Sequence, residues 1–86
     1  MNIKSISKKD KEVIVSLSSD ELVKLGNVLY NAKEEDKNRL YYKLYGEIII
    51  ARDLSQYGQI DGFSFERIAK CREKIKEFDN KTKEQP

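Results

Sequence analysis

In EVIVSLSSDELVKL, residues 12–25, an alternating apolar run leads directly into a segment with helical spacing. Apolar side chains alternate along residues 13–17 and most of them are β-branched, which predicts a strand. Ser18 and Glu21 then have the spacing of a capping box, in which each side chain accepts a hydrogen bond from the other residue's backbone amide. The stretch therefore predicts a short strand followed at once by a helix.

Two more helices are predicted downstream. The second should run from about residue 35 to about residue 56, and its apolar residues cover more than one side, which is typical of the central helix of a bundle or of a helix that packs in an oligomer. Gly58 suits the left-handed position that ends a helix. The third helix is predicted to start at Ser64, with a hydrophobic staple between Phe63 and Ile68.

The two ends of the chain are polar. Ile3 and Ile6 do not alternate, so residues 1–11 are predicted to form a frayed tail, with the first strand of a hairpin as the alternative. Residues 79–86 are predicted to fray as well. We therefore expect one domain over residues 1–86: a mainly α, compact three-helix domain with a short N-terminal β-strand or hairpin.

The composition argues against an enzyme. The 86 residues include no histidine, which is the commonest general base and metal ligand. The single cysteine, Cys71, lies at the edge of an apolar stripe, and we interpret it as a buried structural residue rather than a nucleophile. Phosphate-loop, dinucleotide-binding, zinc-protease and EF-hand motifs are absent from the sequence. We expect no catalytic residues, no cofactor and no metal site.

Charge and hydropathy restrict the partners. With 17 basic and 15 acidic residues the formal net charge is only +2, so nucleic acid is the less favoured partner. The longest apolar-rich stretch, LYYKLYGEIIIARDL at residues 40–54, is too short and too charged to span a bilayer. The start of the chain has no apolar run of the kind found in signal peptides. We expect a cytoplasmic protein with no membrane partner.

A lone strand needs a partner for its open edge. The partner could be a hairpin strand from residues 1–7, a second copy related by a two-fold axis, or the sheet of another protein. Together with the two-sided second helix, this favours a homodimer or a protein-binding module. Tyrosine is common at interfaces, although a position at the rim of the core is the alternative for these side chains. The predicted protein-binding residues are Val13, Ile14, Val15, Tyr41, Tyr42 and Tyr45.

A basic run on the third helix provides the alternative function, a nucleic-acid-binding accessory or a small transcriptional regulator. Its predicted phosphate contacts are Arg67, Lys70, Arg72 and Lys74. Glutamates interrupt the run, and the segment before the helix is long for a helix-turn-helix. The two functions differ in salt dependence, because phosphate-driven binding weakens steeply as salt rises.

Residues 12–32, EVIVSLSSDELVKLGNVLYNA, resemble the start of short accessory proteins of phages and mobile elements of low-GC Gram-positive bacteria. These proteins open with a strand, continue with a Ser/Thr-capped x-D-E-L-x-x-L helix, and then have a helix rich in tyrosine and lysine. The resemblance implies a small protein that binds and modulates a host or phage component, and inhibitors of bacterial immune nucleases are one such class. It assigns no role to any single residue.

Overall fold

The computed structural model of the chain describes residues 1–84, and the side chains of residues 1–81. Within this range it confirms a mainly α, three-helix domain preceded by a two-stranded antiparallel hairpin. The elements are β1 (Asn2–Ser7), β2 (Glu12–Ser16), α1 (Ser19–Tyr30), a single 3-10 turn (Glu34–Asp36), α2 (Arg39–Tyr57) and α3 (Gly62–Glu84).

The segment that the sequence analysis assigned to an N-terminal tail forms β1 and a turn. β1 pairs antiparallel with β2, and Lys11 in the turn has a left-handed φ of 55°. Ser7 stabilises the turn, because its Oγ accepts a hydrogen bond from the amide of Asp10 at 3.2 Å. The prediction of a frayed tail was therefore wrong over residues 2–7. The alternative prediction, a hairpin, was correct.

A β-bulge in β1 explains why the alternation rule missed this strand. Ile3 lies opposite Val15 and Ile6 lies opposite Val13, and the register shifts at Lys4, between these pairs. In a regular strand a spacing of three residues would place the two isoleucines on opposite faces. The extra residue of the bulge brings both onto one face. Four β-branched side chains therefore share one face of the hairpin.

The start of α1 confirms the predicted capping box. Ser18 Oγ accepts from the amide of Glu21 at 3.2 Å, and Glu21 Oε1 accepts from the amide of Ser18 at 2.9 Å. The same Glu21 carboxylate forms an ion pair with the amino group of Met1. The start of β1 therefore lies close to the N-terminal end of α1.

The boundaries of α2 and α3 differ from the predicted ones because of local caps. Asn38 caps α2, its Oδ1 accepting from the amide of Tyr41 at 2.9 Å, so the helix starts four residues later than expected. Asp61 precedes α3, and its carbonyl accepts from the amide of Ser64 at 3.0 Å, so this helix starts two residues earlier. Phe63 is 79% exposed, which shows that the predicted staple was wrong. Gly58 ends α2 with φ 71°, as predicted.

Helix α2 packs against both α1 and α3, which confirms its predicted central position. The core lies where the three helices meet and consists of Leu22, Tyr45, Ile49, Ile68 and Cys71, with Ile49 fully buried. At the C-terminal end, α3 continues through the expected frayed segment as far as Glu84, and residues 85 and 86 lie outside the described range.

Candidate functional site

The hairpin presents an apolar face to solvent. Ile3, Ile6, Val13 and Val15 are 61%, 69%, 54% and 39% exposed, respectively. The principal contacts between elements join β1 to β2, α1 to α2 and α2 to α3, so the helices bury their apolar residues against one another rather than against the hairpin. We call these four side chains the hairpin face.

The opposite face of the hairpin has a different character. The register places Asn2 opposite Ser16, Ser5 opposite Ile14, and Ser7 opposite Glu12. Ile14 is therefore the one apolar side chain among polar neighbours on this face, and it is 61% exposed. Since Val13, Ile14 and Val15 are all exposed, the structure makes the predicted strand residues accessible.

Basic residues are concentrated in the hairpin, with Lys4 in β1 and three further lysines in the turn at one end. Residues 1–16 contain four lysines (4, 8, 9 and 11) and two acids (Asp10 and Glu12), so their side chains carry a net charge of 4 − 2 = +2. Exposed apolar side chains with charged residues nearby are typical of contact surfaces in soluble complexes.

The three predicted tyrosines on α2 serve the packing of the helices. Tyr45 is only 7% exposed and lies in the core, and its ring stacks on that of Tyr41 with 5.7 Å between ring centroids. The Tyr41 hydroxyl donates to the Leu29 carbonyl at 2.7 Å, which ties α2 to α1. Tyr42 lies against Phe78 of α3. Tyr45 thus belongs to the core, and Tyr41 and Tyr42 form its rim, which was the alternative for the tyrosines.

The electrostatics of Tyr41 agree with this structural role. Burial, followed by the nearby Tyr45 and Tyr42, raises the pKa of the Tyr41 phenol above its ordinary value. The hydroxyl therefore stays protonated at neutral pH and remains a hydrogen-bond donor to α1.

The basic residues of α3 do not form one surface. Arg67, Lys70 and Lys74 are exposed and share a side of the helix by their spacing of three and four residues, whereas Arg72, five residues after Arg67, lies on another side. The Arg67 guanidinium lies over the Tyr30 ring at 5.3 Å, and Lys74 Nζ pairs with Glu77 at 3.5 Å. Two of the four predicted phosphate contacts thus already have partners within the chain.

The structure reveals a polar cluster that the sequence analysis missed. Asp53 is only 1% exposed, although it lies on α2 in line with the core residue Ile49. Its Oδ1 accepts from Arg52 Nε at 3.1 Å, and its Oδ2 accepts from the Asp61 amide at 3.0 Å. Arg52 Nη2 also donates to Ser64 Oγ at 3.4 Å. The signal available in the sequence was the spacing 45–49–53, which places a carboxylate on the buried stripe.

The Asp53 cluster closes the α2–α3 junction and forms part of the wall of an open cleft of about 650 Å³. Both carboxylate oxygens are occupied by donors from the chain, so Asp53 acts as a structural acceptor rather than as a free base. Exposed aromatic side chains, Tyr57 and Phe63, lie at the same cleft.

Hydrogen bonds control the ionisation of Asp53. Burial alone would raise the pKa of this carboxyl, but the hydrogen bonds from Ser64 and the Asp61 amide, together with the Arg52 guanidinium, leave it below the ordinary value of 3.8. The charged form is therefore stabilised in the folded state.

This shift predicts an acid-dependent loss of stability. Because the folded-state pKa lies below the unfolded-state pKa, the contribution of Asp53 is complete above about pH 4 and is lost as pH falls through the folded-state value. Urea unfolding of the wild type and of Asp53→Asn, measured from neutral pH to pH 2, should show a difference in unfolding free energy that shrinks in acid. The subtraction cancels the titration of the other carboxylates. A difference that is constant with pH would contradict the assignment.

Cys71 is buried, as its spacing predicted. Burial raises the pKa of its thiol, which keeps the group in the less nucleophilic, protonated form.

Among the described residues, no group of three or more His, Cys, Asp or Glu side chains is placed to hold a metal ion. In residues 1–84 none of the helices combines the length and apolar character needed to cross a bilayer.

Comparisons with family models, with curated proteins and with solved structures found no match to this chain. The candidate site is therefore defined by the geometry of the chain itself, and the hairpin face consists of four exposed β-branched side chains outside the helical core.

Proposed function

We propose that this chain is a small, non-enzymatic protein-binding module that acts by stoichiometric contact through its hairpin face. The proposal agrees with the resemblance of residues 12–32 to accessory proteins of phages and mobile elements. The proposed partner is a host or phage protein in the cytoplasm, which this chain would bind and modulate. An immune nuclease is one class of such partner. The exposure of four β-branched side chains on a hairpin that stands apart from the helical core is the observation that carries the proposal.

The physical reason is the cost of leaving this face in water. An isolated two-stranded hairpin is only marginally stable, and it normally needs further strands or a packed surface against its apolar side. Here the helices make their own core around Ile49 and leave that side of the hairpin open. Binding a protein over the hairpin face would bury it and stabilise the strands at the same time.

The charge around the face indicates the chemistry of the partner. Lys4 lies in β1, and Lys8, Lys9 and Lys11 lie in the turn at one end of the hairpin. A complementary partner surface would be apolar where it meets the hairpin face and acidic where it meets the turn, because charges at the edge of an interface direct association and exclude unsuitable partners.

The test is affinity capture with a matched pair of variants. Ile6 on the hairpin face and Leu40 on α2 are each 69% exposed, so Ile6→Ser and Leu40→Ser remove equally accessible apolar side chains. Tagged wild type and variants are incubated with nuclease-treated lysate from a low-GC Gram-positive host and washed at high salt. We expect a protein that is retained by the wild type and by Leu40→Ser but lost with Ile6→Ser.

Two results would refute the proposal. Retention of the same proteins by Ile6→Ser would show that the hairpin face is not the contact surface. Proteins that the wild type retains only when nuclease is omitted and the wash is at low salt would favour the alternative, a nucleic-acid-binding accessory or regulator that uses basic residues of α3.

A further inference from the structure

The two outer edges of the hairpin are not equivalent. The edge of β1 is interrupted by the bulge at Lys4, and bulges and lysines are features that protect strand edges from pairing. The edge of β2 has a continuous register from Glu12 to Ser16, with its only charged residue at one end. β2 therefore offers the unprotected edge.

The sequence of β2 is close to symmetric about its centre. Its five residues read Glu-Val-Ile-Val-Ser, with Ile14 in the middle and a valine on each side. An antiparallel copy rotated about Ile14 therefore places a valine opposite a valine on each side of the central pair, and only the end residues, Glu12 and Ser16, differ in type.

We propose that β2 pairs antiparallel with β2 of a second copy of the chain, with the two-fold axis at Ile14, to give a four-stranded sheet in the order β1-β2-β2-β1. Ile14 then lies opposite Ile14 of the second copy, and Val13 lies opposite Val15. Glu12 lies opposite Ser16, so the register places no like charges across the axis.

This pairing accounts for Ile14, which the hairpin alone does not explain. Ile14 is 61% exposed and is surrounded by polar residues on its own face. Directly opposite side chains in an antiparallel pair lie on the same face, so the two copies of Ile14 cover each other. Doubling the sheet to four strands also stabilises a hairpin that is marginal by itself.

The helices provide a less suitable surface for a second copy. Leu40, Leu44 and Leu54 of α2 are 69%, 48% and 49% exposed. Glu47 lies on the same side, three residues after Leu44 and seven before Leu54. Antiparallel packing of two α2 helices about this midpoint would bring two carboxylates together, which is unfavourable.

The inference does not depend on the proposed partner. The pairing uses the edge of β2, whereas the proposed function uses the hairpin face. In the four-stranded sheet the hairpin faces of both copies lie side by side on one surface. The purified chain alone tests this inference, so failure of the lysate capture and failure of self-pairing are separate results.

Cysteine cross-linking tests the register. In the proposed pair the Cα atoms of the two copies of residue 14 are about 4.5–5.5 Å apart, within the range of a disulfide. The two copies of residue 13 are offset by two residues along the strands, about 8 Å apart, which is beyond that range. Under mild oxidation Ile14→Cys should form a covalent dimer at least tenfold faster than Val13→Cys. The wild type, whose Cys71 is buried, should give no covalent dimer.

Light scattering on a sizing column tests the dimer itself. Over a concentration series the wild type should approach twice the chain mass of 10.1 kDa. Ile14→Lys places two like charges on the axis and should give a monomer, whereas Ile6→Lys, which lies on β1, should remain a dimer, with circular dichroism confirming that both are folded. A monomeric wild type at every concentration would overturn the proposal, as would a dimer in which Ile14→Cys and Val13→Cys cross-link equally fast.

Discussion

Replacing Asp53 with alanine should destabilise the fold by about 3 kcal/mol, the effect typical of removing one partner from a buried ion pair. The carboxylate is 1% exposed and accepts hydrogen bonds from Arg52 and from the Asp61 amide. Its removal would take the carboxylate acceptor away from Arg52, whose side chain is only 21% exposed, and from the Asp61 amide. The α2–α3 junction would then lose the contact that fixes the start of α3.

The control for Asp53 is a second Arg–Asp pair at the surface. Arg39 Nε and Asp79 Oδ1 are 2.8 Å apart, closer than Arg52 and Asp53, but their side chains are 51% and 47% exposed. An exposed pair of this kind contributes roughly 0–1 kcal/mol, so Asp79→Ala should have a small effect. Urea unfolding followed by circular dichroism measures both variants. Equal losses would show that burial of the carboxylate does not determine its contribution.

Features that depend only on residues within one or two helical turns of each other could be predicted from the sequence. Ser18 and Glu21 form the capping box that their spacing indicated, because both hydrogen bonds depend only on local geometry. Gly58 adopts the left-handed conformation at the end of α2 for the same reason. Cys71 is buried because its spacing from Ile68 and Ile75 places it on the inner side of α3.

Features that depend on pairing between segments were harder to predict. The bulge at Lys4 changes the face on which Ile3 lies, and a bulge is defined by the opposing strand rather than by the residues of β1 alone. The role of Asp53 was missed, because it requires the Asp61 amide eight residues later.

The predicted site residues show the same difference between local features and features that depend on packing. The strand residues Val13, Ile14 and Val15 were found from local alternation, and the structure leaves them exposed. The tyrosines were chosen for their residue type, but their exposure depends on where α1 and α3 pack. Tyr41 bonds to α1 and Tyr42 lies against α3, so both rings are partly covered by helices that the sequence of α2 does not specify.

Replacing Ile49 with alanine should cost about 3 kcal/mol of unfolding free energy, because deleting buried methylene and methyl groups removes their transfer free energy and leaves a cavity. Ile49 is 0% exposed and lies in the cluster that joins α2 to α3. A domain of this size has roughly 0.05–0.15 kcal/mol of stability per residue, so the loss is a large part of the total. Ile49→Val, which removes one methyl group, should cost about 1 kcal/mol.

Leu40 provides the matched control on the same helix. Leu40→Ala removes more aliphatic carbon than Ile49→Val does, but Leu40 is 69% exposed, so its truncation creates no cavity. The unfolding free energy should therefore change by no more than about 0.5 kcal/mol. The measurement is urea unfolding, fitted with one m-value (the slope of unfolding free energy against urea concentration) for all variants. A cost for Leu40→Ala as large as that for Ile49→Ala would mean that the outer side of α2 is itself covered in solution. Since pairing through β2 leaves that side free, this result would also point to a second interface on α2.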